Sequence, residues 1–170
     1  RQIRLLAYLL PRFGHVGVER VCSGIGVPNI YEFLRDVEKI PERPEVAQMI
    51  ASAKDHTKVI VNAAVDPQHP SELCQETVEM LVSILASEAG NLALKVLATG
   101  GVYIAGGVAL HLLNALQEPR FTETFTRKGR FRDLIQRIPI HVITTRAALV
   151  GAATFGLESL KNIRSGAIVA

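Results

Sequence analysis

Val102-Tyr-Ile-Ala-Gly-Gly-Val108 is the stretch that decides the fold. Four residues of strand character, Val102 to Ala105, run into two glycines, and an apolar helical pattern follows from Val108. Glycines at a strand-to-helix junction let a ligand approach the backbone closely, and the helix start beyond offers unpaired N–H groups. The same pair also serves as a plain tight turn, so this stretch alone leaves both readings open. A second glycine-punctuated segment, Gly14-His-Val-Gly-Val-Glu-Arg-Val-Cys-Ser-Gly-Ile-Gly26, stands just before an amphipathic helical pattern.

Periodicity divides the rest of the chain. Residues 1–10 have helical spacing, closed by Pro11, and a short helix is expected around Val18 to Cys22. Pro28 sits at a first-turn position and opens a helix with Ile30, Phe33, Leu34 and Val37 on one face. Helices follow over 44–53 and 56–65. Ser71 is a good N-cap for a long helix whose apolar residues Cys74, Val78, Leu81, Leu85, Ala89, Leu92 and Val96 recur in steps of three and four, with Gly100 as its stop. Beyond the decisive stretch come a helix over 108–116 and a charged helical region over 119–138, broken at Gly129. A second strand, Ile140 to Thr144, a final helix, Ala147 to Leu160, and a loose tail over 161–170 complete the chain. The order predicts an α/β fold, predominantly helical, with parallel strands joined by right-handed crossovers. Two strands are too few for an independent sheet, so further strands are expected from an N-terminal part outside this sequence or from another chain.

At 170 residues, 48% hydrophobic and 21% charged, the chain fits one globular domain with a real core. A net charge of +3 is too mild to imply nucleic acid without a local cluster. The basic residues between Glu118 and Arg137 are read as a solvated helix face, with Phe121, Phe125 and Phe131 as its packing side, so no nucleic-acid partner is expected. Cys22 and Cys74 lack metal spacing and a disulfide-rich background, which predicts a reduced, cytoplasmic setting. The apolar window from Leu92 to Leu113 is interrupted by two Gly-Gly pairs and is read as core rather than membrane. Because Arg1 opens inside a helical pattern, the sequence is expected to be a piece of a longer protein.

Several blocks in order carry a resemblance. Gly14-His15-Val16, Glu19-Arg20-Val21, Ser23-Gly24, Gly26 and Asn29-Ile30-Tyr31 resemble the bacterial glucokinase segment written GHVSxERVLSGPGLVNIY. Gly90-Asn-Leu-Ala-Leu94, Gly101-Val-Tyr-Ile-Ala-Gly-Gly107, Phe125-Thr-Arg-Lys-Gly-Arg-Phe131, Ile138-Pro-Ile-His-Val142 and Gly151-Ala152-Ala153 are similar to later blocks of that family. The resemblance covers residues 1–160. It implies the C-terminal portion of the large domain of a hexokinase–actin–Hsp70 fold, a ribonuclease-H-like domain. The family's phosphate loops, catalytic Asn-Asp pair and GExGH sugar motif have no match here. Ile25 and Val27-Pro28 depart from the family pattern, and Ala109-Leu110-His111 stands where Ala-Pro-Arg or Ala-Pro-Lys is common.

The resemblance assigns Glu19 to glucose hydroxyls, against the plain reading of a solvated pair with Arg20. It assigns Gly106 and Gly107 to the nucleotide, and implies ATP with Mg²⁺ as phosphoryl donor and glucose as acceptor. It also implies the missing N-terminal part as partner, and the sheet edge left bare without those strands leads us to expect another chain over it, a homo-oligomer and specifically a dimer. His15 is expected to be a buried structural histidine, with a catalytic role as the other reading. Ser23, Gly24 and Gly26 are turn formers or lie near sugar or phosphate. His111 and His141 are expected to be structural or exposed, and Asn91 to satisfy backbone groups or pack in the long helix. A non-catalytic sugar sensor on the same fold is the competing expectation.

Overall fold

The computed structural model describes residues 1–145 and 147–164. Helix α1 (Gln2–Phe13) leads to a three-residue 3-10 turn at Val18–Arg20 and then to α2 (Gly26–Asp36), α3 (Pro44–Ser52), α4 (His56–Ala64) and α5 (Glu72–Val96). Strand β1 (Val102–Ile104), α6 (Gly107–His111), α7 (Leu113–Leu116) and α8 (Pro119–Thr126) follow. A second 3-10 turn at Gly129–Phe131, α9 (Arg132–Ile135), β2 (Ile140–Val142) and α10 (Ala147–Arg164) complete the order.

Helix α5 is the centre, with α2, α4 and α8 packed around it. The apolar spacing read from the sequence explains why: Cys74, Val78, Leu81 and Ala89 fall on buried positions, joined by Leu73, Val82, Ala86 and Ala93, whereas Leu85 is half-buried and Leu92 and Val96, in the last turns, are exposed. Ser71 caps the helix as expected, its hydroxyl accepting from the Cys74 N–H at 3.4 Å. Across from it, α2 contributes Val27, Ile30, Phe33 and Leu34, all wholly buried. From α8, Phe121 and Phe125 stack with centroids 6.5 Å apart and are also buried, whereas Phe131 is exposed and leaves the expected aromatic face. Lys128 crosses from α8's far end to α5, its Nζ donating to the Ser87 carbonyl at 2.7 Å and to Asn91 Oδ1 at 2.8 Å. Asn91 therefore serves a lysine rather than a backbone group.

The two strands are parallel neighbours, with Val102 opposite Ile140, Tyr103 opposite His141 and Ile104 opposite Val142. Helices α6 to α9 form the crossover, as the element order predicts. Gly101 lets the chain enter β1 close to Pro139: an added Cβ would lie 3.2 Å from the Pro139 carbonyl oxygen, which accepts from the Val102 N–H at 2.9 Å.

Several boundaries differ from expectation. Pro11 lies inside α1 rather than closing it; it forgoes the one hydrogen bond its N–H would have given the Ala7 carbonyl, and the helix ends two residues later. Helix α5 ends at Leu97, which adopts the left-handed conformation (φ 48°, ψ 54°), with the Ala98 N–H returning to the Ala93 carbonyl at 2.9 Å. The expected stop, Gly100, comes three residues later. The expected helix over 108–116 is two short helices parted at Leu112. At the far end α10 continues through residues 161–164, expected to be loose, and residues 165–170 lie outside the described residues.

Among the described residues one helix, α5, is long and apolar enough to cross a membrane by length and composition. More than half of that apolar window is buried inside the fold, where it forms the core. The window from Leu92 to Leu113 divides into helix end, strand and helix start, as read from its glycines.

Candidate functional site

The two glycine-bearing segments, far apart in sequence, meet in space. Gly24 from the first and Gly107 from the second line a cavity of about 590 Å³ together with Ile25, Pro28, Val61 and His111. The third wall is the connection from α3 into α4, residues Lys54 to Lys58. A smaller cavity of about 260 Å³ adjoins it, sharing Gly24 and Gly107 and adding Gly106, Cys22, Ile104 and Leu112.

Each wall is fixed locally. Gly106 holds φ at 111°, a region that side chains avoid, so the turn from β1 into α6 needs glycine there. At Gly107, as at Gly106, an added Cβ meets no atom within 4 Å, but Gly107 does not have the positive φ that demands glycine. The space beside its backbone is open. On the third wall, Asp55 caps α4 by accepting from the Lys58 N–H at 3.1 Å. Thr57 ties that helix start to the first glycine segment, its hydroxyl donating to the Gly24 carbonyl at 2.5 Å.

The larger cavity is electropositive. Lys54 and Lys58 line it against a single carboxylate, Asp55, one oxygen of which is already engaged in the cap, and the His56 and His111 rings add polar edges. Such a wall attracts an anionic ligand, and the bare backbone at Gly107 admits one closely. The smaller cavity is mainly apolar and suits a flat or aliphatic group. Burial, reinforced by Glu88, raises the Cys22 pKa, so its thiol is a poor nucleophile in its resting state.

Glu19 lies elsewhere. It sits exposed on the 3-10 turn at Val18–Arg20, just before the glycine segment reaches Ser23 and Gly24, and lines neither cavity. The plain reading of a pair with Arg20 does not hold. Among the described residues Glu19 has no ion pair, and the Arg20 guanidinium lies 4.4 Å over the Phe13 ring. Ser23 donates to the Glu19 carbonyl at 2.7 Å, and Gly26 packs against the Val21 backbone, both in keeping with turn formation. His15 is exposed rather than buried, because the chain at Gly14 turns outward after α1. His141 stacks on Tyr103 with ring centroids 4.9 Å apart, on an exposed face of the strand pair.

Sequence reasoning found two walls of the cavity and missed the third. Residues 54–58 carry a visible signal, an Asp cap flanked by Lys54 and Lys58, but nothing local says which part of the fold that helix start will face. Among the described residues no group of three or more His, Cys, Asp or Glu side chains is placed to hold a metal ion.

Comparison with known proteins gives a consistent picture. The family model described as Glucokinase matches residues 1–159. A glucokinase of Trichormus variabilis is 40% identical over 165 residues, covering 89% of this chain and 48% of that protein. One from Nostoc punctiforme is 37% identical over 163 residues, with the same two coverages. A crystal structure of glucokinase from an Antarctic psychrotroph superposes with a TM-score of 0.67 at 30% identity, over 84% of this chain and 41% of that one. The chain spans about half the length of the curated relatives it matches.

Proposed function

Since the chain belongs to the glucokinase family, we propose that it is the C-terminal half of a sugar kinase that transfers the γ-phosphoryl group of ATP to the 6-hydroxyl of glucose. The observation that carries this reading is the meeting of Gly24 with Gly106 and Gly107 at two adjoining, mainly apolar cavities, the larger of which also carries Lys54 and Lys58. A nucleotide has the matching chemistry, with an anionic chain and a flat base. In this reading the open backbone at Gly107 lies against the nucleotide. Lys54 and Lys58 supply positive charge, His56 and His111 offer ring nitrogens for hydrogen bonds, and the apolar lining takes the less polar part. Mg²⁺ arrives with the triphosphate as part of the substrate, and its remaining contacts come from the other half of the polypeptide. Glu19 accepts hydrogen bonds from neighbouring sugar hydroxyls, each charge-assisted bond contributing about 1.5–3 kcal/mol.

The same reading assigns the further strands beside β1 and β2, and the rest of a ribonuclease-H-like domain, to the N-terminal half. The two halves together exclude water and align the acceptor hydroxyl with the γ-phosphorus; positioning and electrostatics then carry most of the rate.

A coupled assay on the full-length polypeptide tests this, read with and without glucose and ATP. Turnover should require both. In Gly107→Val the new side chain enters open space, so the fold should hold while the apparent ATP constant rises on the order of tenfold. Wild-type turnover that is absent, or an unchanged ATP constant in Gly107→Val, would defeat the reading.

A further inference from the structure

We propose that Asn29 is a positioning residue for Glu19, holding the turn that carries the carboxylate onto α2; the inference rests on the reading of Glu19 as the sugar contact. A three-residue 3-10 turn has little internal support. Here it consists of the Arg20 N–H to the Gly17 carbonyl and the Val21 N–H to the Val18 carbonyl, both at 3.0 Å. Orientation must come from outside the turn. Ser23 bonds the Glu19 carbonyl but belongs to the same loop, so it moves with it. Asn29 is different. Its Nδ2 donates to the Arg20 carbonyl at 2.8 Å from a helix whose Val27, Ile30, Phe33 and Leu34 are wholly buried.

Two further contacts complete the clamp. Gly26, one helical turn before Asn29 on the same face of α2, packs so tightly that an added Cβ would lie 2.9 Å from the Val21 Cα. On the other side the Arg20 guanidinium rests over Phe13 of α1. The turn is therefore held between α1 and α2 while the Glu19 side chain stays exposed and unpaired among the described residues. Asn29 is itself 7% exposed, one of few buried polar side chains described. Burying an amide is unfavourable unless its groups are bonded, and a leucine would fill the space at lower cost. The bond it makes is to the peptide next to Glu19, and a two-hydroxyl contact is sensitive to displacements of an ångström or less.

The test uses the full-length polypeptide with Glu19→Gln, Asn29→Ala, Asn29→Asp and the double variant Glu19→Gln/Asn29→Ala. Apparent glucose and ATP constants and thermal unfolding are measured for each. Glu19→Gln should raise the glucose constant about tenfold or more. Asn29→Ala and Asn29→Asp should raise it about three- to tenfold while leaving the ATP constant within about twofold. In the Glu19→Gln background, Asn29→Ala should add little further. An unchanged glucose constant in Glu19→Gln removes the sugar reading and this inference with it. If Glu19→Gln weakens glucose but the Asn29 variants only lower the unfolding temperature, or shift both substrates alike, the positioning role is overturned and the sugar reading stands. Should Asn29→Ala fail to fold, Asn29→Gln displaces the same amide by one methylene, and a glucose constant within about twofold of wild type then overturns the proposal.

Discussion

Asp36 shows how much a single carboxylate can be tuned without being buried. One oxygen accepts from Arg35 Nε at 2.8 Å and the other from the Tyr8 hydroxyl at 2.8 Å. The Arg35 contact lowers its pKa most, burial opposes, and the Tyr8 bond lowers it further. A depressed native pKa means that, between the native and the ordinary value of about 3.9, the unfolded chain binds the proton and the native state does not. Stability from this group is therefore complete above the ordinary value and is lost as pH falls through the native one. The unfolding-temperature difference between wild type and Asp36→Asn should shrink from about pH 5.5 to about pH 2.5; a difference constant over that range would refute the assignment. Glu19 lies at the other extreme of legibility. Its neighbours in sequence marked it as a candidate, and the structure adds what the letters cannot, that Arg20 turns away onto Phe13 and leaves the carboxylate unpaired among the described residues. The outward turn of His15 was equally invisible, because it depends on how α1 meets the following loop.

At the scale of elements, periodicity made most helices readable, and the apolar repeat of α5 identified the centre of the core. What it could not supply were facts set by contact. Leu97 ends α5 in a left-handed conformation although two glycines stand just beyond, so a search for glycine misplaces the stop. The cavity wall at Lys54–Lys58 is a recognisable helix start with an unrecognisable neighbour. Gly90 is a third case. Within a helix, alanine in place of glycine ordinarily stabilises by about 1 kcal/mol. Here α8 crosses so closely that an added Cβ would lie 2.5 Å from both the Phe125 carbonyl oxygen and Lys128 Cε. The lysine has a flexible stem, but the carbonyl is backbone. Overpacking of this kind costs about 1–3 kcal/mol, which exceeds the helical gain. Gly90→Ala should therefore lower the unfolding free energy by a net amount of roughly 1 kcal/mol, and the urea midpoint with it. A midpoint unchanged or raised in urea would show that α8 can shift aside freely. Burial lowers the pKa of Lys128, so its charge sits there at some cost, offset by the Ser87 and Asn91 bonds.

For the molecule as a whole, the proposed activity and the surfaces of this chain point the same way. In the proposed reading the two cavities take the nucleotide and Glu19 the sugar, while the phosphate loops and the catalytic Asn-Asp pair of the family have no match in this sequence. On α10, Leu149, Val150, Phe155, Leu157 and Leu160 are 58–73% exposed, far more apolar surface than a surface helix normally shows. This 170-residue chain alone is expected to give no glucose- and ATP-dependent turnover. Turnover well above background in a coupled assay would show that the chain carries a complete site. The parallel strand pair has one more consequence, in time rather than space. Its two members are separated by four helices, so their hydrogen bonds reward the chain only after a long loop has been closed. Helices α2, α4 and α5 are near neighbours in sequence and meet cheaply. The helical core is thus the part able to gather first, and the turn at Gly106 and Gly107, which depends on β1 being seated, reaches its working shape last.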